Sequence, residues 1–113
     1  MAITQSMATS FKVELLKAVH NFSTGGNTFK LALYTSSATM GATTTAYTTT
    51  NEVTGTNYTA KGGTLTKVTP TATGTTAVTD FADLTFGTAT ITARGCMIFN
   101  DTATGDPNVA VFD

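Results

Sequence analysis

Hydrophobic residues recur at three- and four-residue spacing in one part of the chain only, close to its N-terminus. This spacing predicts a single amphipathic helix that ends near Asn21, because residues 23–27 (STGGN) are typical of a turn. A hydroxyl at Thr9 or Ser10 precedes the pattern and can act as the N-cap. The apolar stripe consists of Phe11, Leu15, Val19 and Phe22.

The ten residues before the helix show no periodicity and are small and polar, apart from Ile3 and the methionines. We therefore predict that residues 1–10 form a flexible N-terminal arm. The remaining residues, 11–113, are within the usual size of one domain, and we expect them to form a single β-rich unit.

Apolar and polar residues alternate along much of the remaining chain, which predicts β-strands. The clearest alternation is in residues 28–35 (TFKLALYT), and the turn-rich residues 100–108 predict a hairpin at the C-terminus. Residues 36–63 are too many for an ordinary connection, so we expect a helical turn within them, at 45–53. The other predicted strands cover residues 64–69, 75–81, 88–99 and 109–112.

The order of these elements predicts the fold class. One helix precedes a series of strands that can all reverse direction between neighbours, and no β-α-β alternation is present. We therefore expect a mainly β fold, an antiparallel β-sandwich or barrel-like sheet with one N-terminal amphipathic helix. A parallel α/β architecture is excluded.

The composition is unusual in its threonine content, which is roughly a quarter of the chain, while charged residues make up 12%. Six lysine and arginine residues are scattered along a chain of net charge −1, so no cluster is available to bind nucleic acid. No apolar run is long enough for a membrane span, and no signal peptide is recognisable. We expect a protein made in the cytoplasm that binds neither nucleic acid nor membranes.

Candidate chemistry is sparse. The one histidine, His20, is expected to cap the helix or face solvent, and the one cysteine, Cys96, is expected to be an inert strand residue. These two residues cannot complete a zinc site or a nucleophilic triad. We therefore predict no enzymatic activity, no catalytic or metal-binding residues and no cofactor.

One turn carries oxygen ligands of the kind that calcium prefers. Asp101 and Asp106 flank Gly105 there, but aspartate is also what a turn ordinarily requires. The sequence leaves open whether this turn binds calcium.

Three tyrosines are better candidates for protein contacts, since tyrosine is enriched at interfaces. They lie in or beside the long threonine-rich segment, which we interpret as a packed loop at a subunit contact. Together with two apolar residues of the arm, they form the predicted interface set: Ile3, Met7, Tyr34, Tyr47 and Tyr58.

Four segments in order resemble a family of small threonine-rich virion structural proteins of tailed bacteriophages. They are FKVELLKAVHNF, TFKLALYTSSAT, TTAYTTTNEVTGTNYTAKGGTLT and ITARGCMIFND, which together cover most of residues 11–101. The resemblance implies a structural role in the virion, first as a decoration or cement protein of the capsid, and second as a tail or head-tail connector component. It implies the major capsid protein or other virion proteins as partners, and assembly as a homo-oligomer.

A function of another class is a host-surface or carbohydrate-binding module, since tyrosines in hydroxyl-rich loops can stack on sugars. It predicts that isolated monomers bind glycans, whereas a decoration protein binds assembled shells.

Overall fold

A computed structural model describes residues 2–113. Within this range the chain forms one helix and seven strands. In chain order these are β1 (Ser6–Met7), α1 (Thr9–Leu16), β2 (Phe29–Tyr34), β3 (Gly63–Thr64), β4 (Lys67–Thr73), β5 (Thr76–Phe81), β6 (Gly95–Asn100) and β7 (Asn108–Phe112).

The strands form two antiparallel sheets. Five of them pair in the order β1-β7-β6-β2-β3, and β4 pairs with β5 in a separate hairpin. The prediction of a mainly β, antiparallel, sandwich-like fold with one short N-terminal helix is confirmed. The predicted C-terminal hairpin is also present, as β6 and β7.

The five-stranded sheet is covered on both faces. Ala32 and Tyr34 of β2 face one hydrophobic cluster, while Phe29 of the same strand faces the other, because side chains alternate along a strand. The first cluster contains Ile3, Ala32, Tyr34, Ala38, Met40, Met97, Phe99 and Val111. The second contains Ala8, Phe11, Phe29, Leu65 and Val109. Full burial of a large apolar side chain stabilises the fold by roughly 1.5–3 kcal/mol.

The N-terminal segment is part of this fold, so its described residues correct the prediction of a flexible arm. Ile3 is buried at 5% exposure and forms a parallel bridge with Met40. Ser6 and Met7 pair with β7, and Ala8 is fully buried. Residues 2–8 thus contribute a strand and core contacts; Met1 lies outside the described residues.

The helix is shorter than predicted. It begins after Ala8, which makes no side-chain cap hydrogen bond, and Thr9 and Ser10 lie inside it. It ends at Leu16 because Ala18 adopts a positive φ of 59°, the left-handed conformation that terminates helices. Only Phe11 of the helix is buried, and Phe22 reaches the core from the following loop.

The long segment between β2 and β3 contains no helical turn at 45–53. Isolated bridges attach it to the sheet instead, through the pairs Tyr34–Glu52 and Ala46–Pro107. Near its end, Gly62 has φ +69°, and a Cβ there would lie 1.9 Å from the Leu31 carbonyl oxygen. Glycine therefore permits the loop to pass directly against β2.

Two predicted strands have different bounds. Residues 64–69 are divided between β3 and β4, and the buried Leu65 between them donates its N–H to the carbonyl of Phe29. The predicted strand 88–99 begins only at Gly95, and of its earlier residues Thr90 makes a single bridge, to Thr56.

Candidate interaction surface

An open apolar groove of about 390 Å³ lies between the hairpin, helix α1 and strands β1, β7 and β6 of the five-stranded sheet. Met7 and Leu15 line it while keeping 48% and 44% of their surface exposed. The remaining lining is also mostly apolar, from both sides of the groove: Phe11, Phe22, Pro70, Ala77, Val78, Thr79, Phe81, Ile98, Val109, Ala110 and Phe112. No charged residue is among them.

The base of the groove is rigid because aromatic rings pack there. Phe22 stacks on Phe29 with ring centroids 4.2 Å apart and planes 7° from parallel. Phe81, the last residue of β5, tilts against both rings at about 6 Å. These contacts attach the lower end of the hairpin to the second core cluster.

The rest of the hairpin extends away from the core. All residues of β4 and β5 are exposed except Lys67 and Phe81 at its base. Val68 and Val78 expose 47% and 44% of their surface, and apart from Lys67 and Asp80 the strands carry no charge. An exposed, weakly charged and β-branched ribbon is typical of an interaction surface.

A second cluster holds the threonine-rich loop onto the sheet. The buried carboxylate of Glu52 accepts hydrogen bonds from the hydroxyls of Tyr47 (2.5 Å) and Tyr58 (2.7 Å) and from the backbone N–H of Lys61 (2.8 Å). The Tyr58 hydroxyl in turn accepts the N–H of Leu33 at 2.8 Å. Every hydrogen-bond partner of this carboxylate is a neutral donor. We call this cluster of Glu52, Tyr47, Tyr58 and the Lys61 N–H the clasp, because it holds the loop in one conformation.

The tyrosines of this region resist ionisation. Burial raises the pKa of Tyr34, Tyr47 and Tyr58 well above the ordinary value, and the Glu52 carboxylate raises it further. The Tyr34 hydroxyl donates to the carbonyl of Thr48 at 2.6 Å. All three phenols therefore remain neutral donors across the physiological range.

The turn with two aspartates is occupied by a lysine. The Lys61 ammonium lies 3.0 Å from Asp101 and 2.8 Å from Asp106, and hydrogen bonds to these carboxylates raise its pKa. Lys30 lies 3.8 Å from Asp101 on the other side. The two carboxylates are thus paired with protein cations, at the position where calcium would have to bind.

The predicted interface residues do not lie together on one surface. Ile3 and Tyr34 are core residues, since burial of their large apolar surfaces stabilises the sheet. Tyr47 stacks on Phe99 with centroids 4.7 Å apart, and Tyr58 packs against Phe86. Of the five predicted interface residues, Met7 alone is both exposed and part of the groove.

His20 corrects the prediction of a capping or solvent-facing role. Its side chain is fully buried, with Nε2 2.9 Å from Glu14 Oε1 and Nδ1 3.0 Å from the Asn100 amide nitrogen. The imidazole fills a hydrogen-bonded position between the helix, which carries Glu14, and β6. The Asn100 side-chain oxygen, Oδ1, also accepts hydrogen bonds from the backbone N–H groups of Thr102 and Ala103 and so caps the following turn.

Cys96 is half-buried in β6, and burial raises the pKa of its thiol. Neither it nor His20 lies in a group of three or more potential metal ligands anywhere in residues 2–113. No helix in this range is long and apolar enough to cross a membrane.

Sequence reasoning missed Glu52 and most of the groove. A signal for Glu52 was present, since it is the only carboxylate between Glu14 and Asp80 and has tyrosines five residues before and six residues after it. The groove had no such signal, because residues from the helix, the hairpin and β7 meet there only after folding.

Comparisons with known proteins do not assign the chain to a family. No family model matches it, and neither a curated protein nor a solved structure shows significant similarity to it.

Proposed function

We propose that this chain is a structural protein of a tailed-phage virion, and that it binds the head shell as a decoration or cement protein. The ordered segments in the sequence that resemble small threonine-rich virion proteins support this proposal. The groove lined by Met7 and Leu15 is the structural observation that carries it most, because exposed apolar side chains without charged neighbours suit a protein partner.

The surface chemistry favours protein contacts over sugar binding. Sugar-binding modules stack exposed aromatic rings on their ligand, and each phenylalanine and tyrosine among residues 2–113 is buried or only partly exposed. Tyr47 and Tyr58, the residues proposed for stacking, are held by Glu52. Low charge also suits a subunit that packs closely against neighbours, because little repulsion opposes contact.

Co-sedimentation tests the proposal. The purified chain is mixed with empty heads, or with isolated tails, of the tailed phage that encodes it, and binding is measured over a range of concentrations. We expect saturable binding to heads. Binding to tails alone would instead support the tail or connector role, and would contradict decoration of the head.

Two matched variants test whether the groove is the contact. Met7 and Val13 expose 48% and 49% of their surface, but only Met7 lines the groove. We expect Met7→Lys to weaken binding to heads at least tenfold and Val13→Lys to leave it nearly unchanged, with both variants folded by circular dichroism. Equal binding by the two variants would exclude the groove, and glycan binding by the free chain would favour the carbohydrate-binding alternative.

A further inference from the structure

The hairpin of β4 and β5 has two outer edges, and no strand in the described part of the chain pairs with either of them. A two-stranded ribbon is only marginally stable in water unless further strands or packing support it. Here only Lys67 and Phe81, at the base, are partly buried, and every other residue of the two strands is exposed. The exposed edges are therefore the places where an additional strand would stabilise the molecule.

The edge of β4 is protected against pairing. Pro70 has no N–H to donate, and the register shifts between Val68 and Thr71, so the strand is bulged there. The Thr69 hydroxyl also accepts the N–H of Thr24 at 3.1 Å. Proline, a bulge and a covering loop are the features by which proteins prevent edge pairing.

The edge of β5 has none of these features. Gly74 and Thr75 form a two-residue turn, in which Gly74 has φ +61°, so Thr73 and Thr76 are the hydrogen-bonded pair that closes it. Backbone groups alternate from that pair onward. Those of Thr76 and Val78 consequently point toward β4, and those of Ala77 and Thr79 point outward.

We infer that the edge of β5 pairs with the same edge of a second copy of this chain, antiparallel and about a two-fold axis at Val78. In this register, Ala77 of each copy exchanges both backbone hydrogen bonds with Thr79 of the other. The result is a continuous four-stranded sheet in the order β4-β5-β5-β4. Such a contact is self-complementary, as a two-fold interface requires.

Charge and side-chain packing favour this arrangement. Asp80 is the only charged residue of β5, and the antiparallel register places it opposite the hydroxyl of Thr76. A parallel, in-register pairing would place the two Asp80 carboxylates side by side. The exposed Val78 side chains meet at the axis as a non-hydrogen-bonded pair, where side chains approach most closely.

Cysteine cross-linking of the purified chain, without phage particles, tests the inference separately from the proposed function. Cα atoms of a non-hydrogen-bonded pair are about 4.5 Å apart, within the range for a disulfide. In a Cys96→Ala background, we expect Val78→Cys to form an interchain disulfide at least tenfold faster than Thr71→Cys. Thr71 is the matched control, because it is exposed and pairs with Val78 from the protected strand.

Sedimentation velocity provides a second measurement. We expect the parent chain to be dimeric and Thr79→Pro to be monomeric at the same concentration. Because the Thr79 N–H points outward, proline there removes the intermolecular bond and leaves the hairpin ladder intact. A monomeric parent chain, or equal cross-linking at positions 71 and 78, would overturn the inference whatever the chain does on phage heads.

Discussion

Glu52 shows how a single residue can organise a long loop. Its carboxylate lies near the middle of residues 36–63 and accepts three hydrogen bonds, two from tyrosine hydroxyls and one from the backbone. The loop thereby acquires a fixed conformation without a helix or strand of regular length. Tyrosines that the sequence suggested as interface residues serve as the donors of this clasp.

We expect Glu52→Ala to destabilise the protein by about 3 kcal/mol, because it leaves buried hydroxyl and N–H groups without an acceptor. Glu52→Gln should destabilise the protein less, since the amide oxygen can still accept hydrogen bonds. Free energies of unfolding from urea titrations measure both effects. Asp83→Ala is the control, as Asp83 is exposed and should change stability by no more than about 0.5 kcal/mol. A similarly small effect of Glu52→Ala would contradict the clasp.

At the scale of elements, the N-terminal segment differs most from expectation. Its sequence has no periodicity because only two of its residues form a strand, and its contacts come from single side chains. Ile3 reaches the first core cluster beside Gly95, where an added Cβ would lie 2.8 Å from the Ile3 Cδ1 atom. Single buried side chains of this kind produce no hydrophobic periodicity in a sequence.

Deletion of residues 1–10 should therefore damage the fold and not simply detach an arm. A milder test is Ile3→Ala, for which we expect a loss of about 2–5 kcal/mol from the lost contacts and the cavity. Met7→Ala, at a half-exposed position, should cost less than about 1 kcal/mol. Thermal or urea unfolding measures both, and equal effects would mean that Ile3 does not anchor the segment.

At the scale of the whole molecule, stability does not depend on an extended network of charges. Salt bridges among the described residues are few and lie mainly at the Lys61 turn and the C-terminus. The buried Tyr34 and the partly buried Tyr47 and Tyr58 are the groups whose ionisation should dominate the response to alkaline pH.

We expect stability to fall as the pH rises above about 10. In the unfolded chain the three tyrosines ionise near pH 10.0, whereas their pKa values in the folded protein are higher. The folded state therefore retains protons that the unfolded state has lost. Each such tyrosine reduces stability by at most about 1.4 kcal/mol per pH unit, and Tyr47 and Tyr58 contribute less than Tyr34 because solvent screens them more. Below the pKa of tyrosine in the unfolded chain, the three tyrosines are protonated in both states, and their full contribution to stability is present.

Urea titrations between about pH 8 and 11 measure this slope. Tyr58→Phe should reduce the slope of the free energy of unfolding against pH by the contribution of one tyrosine. Ultraviolet absorbance of tyrosinate should show that the tyrosines of the folded chain ionise at a higher pH than those of the unfolded chain. Stability that is independent of pH in this range would contradict the burial of these phenols.

The sequence by itself determined the fold class, the strand at 29–34 and the C-terminal hairpin, because alternation and turn residues are local properties of the chain. It could not determine where helix α1 ends, since Ala18 takes a left-handed conformation that no local rule favours. Only the tertiary structure brought Glu52 to its tyrosines, Lys61 to its aspartates, and the helix, β7 and hairpin to a common groove. The lysine and groove contacts join residues far apart in the chain. The Glu52 contacts are closer in sequence, but like the others they depend on burial, which exists only once the sheet has formed.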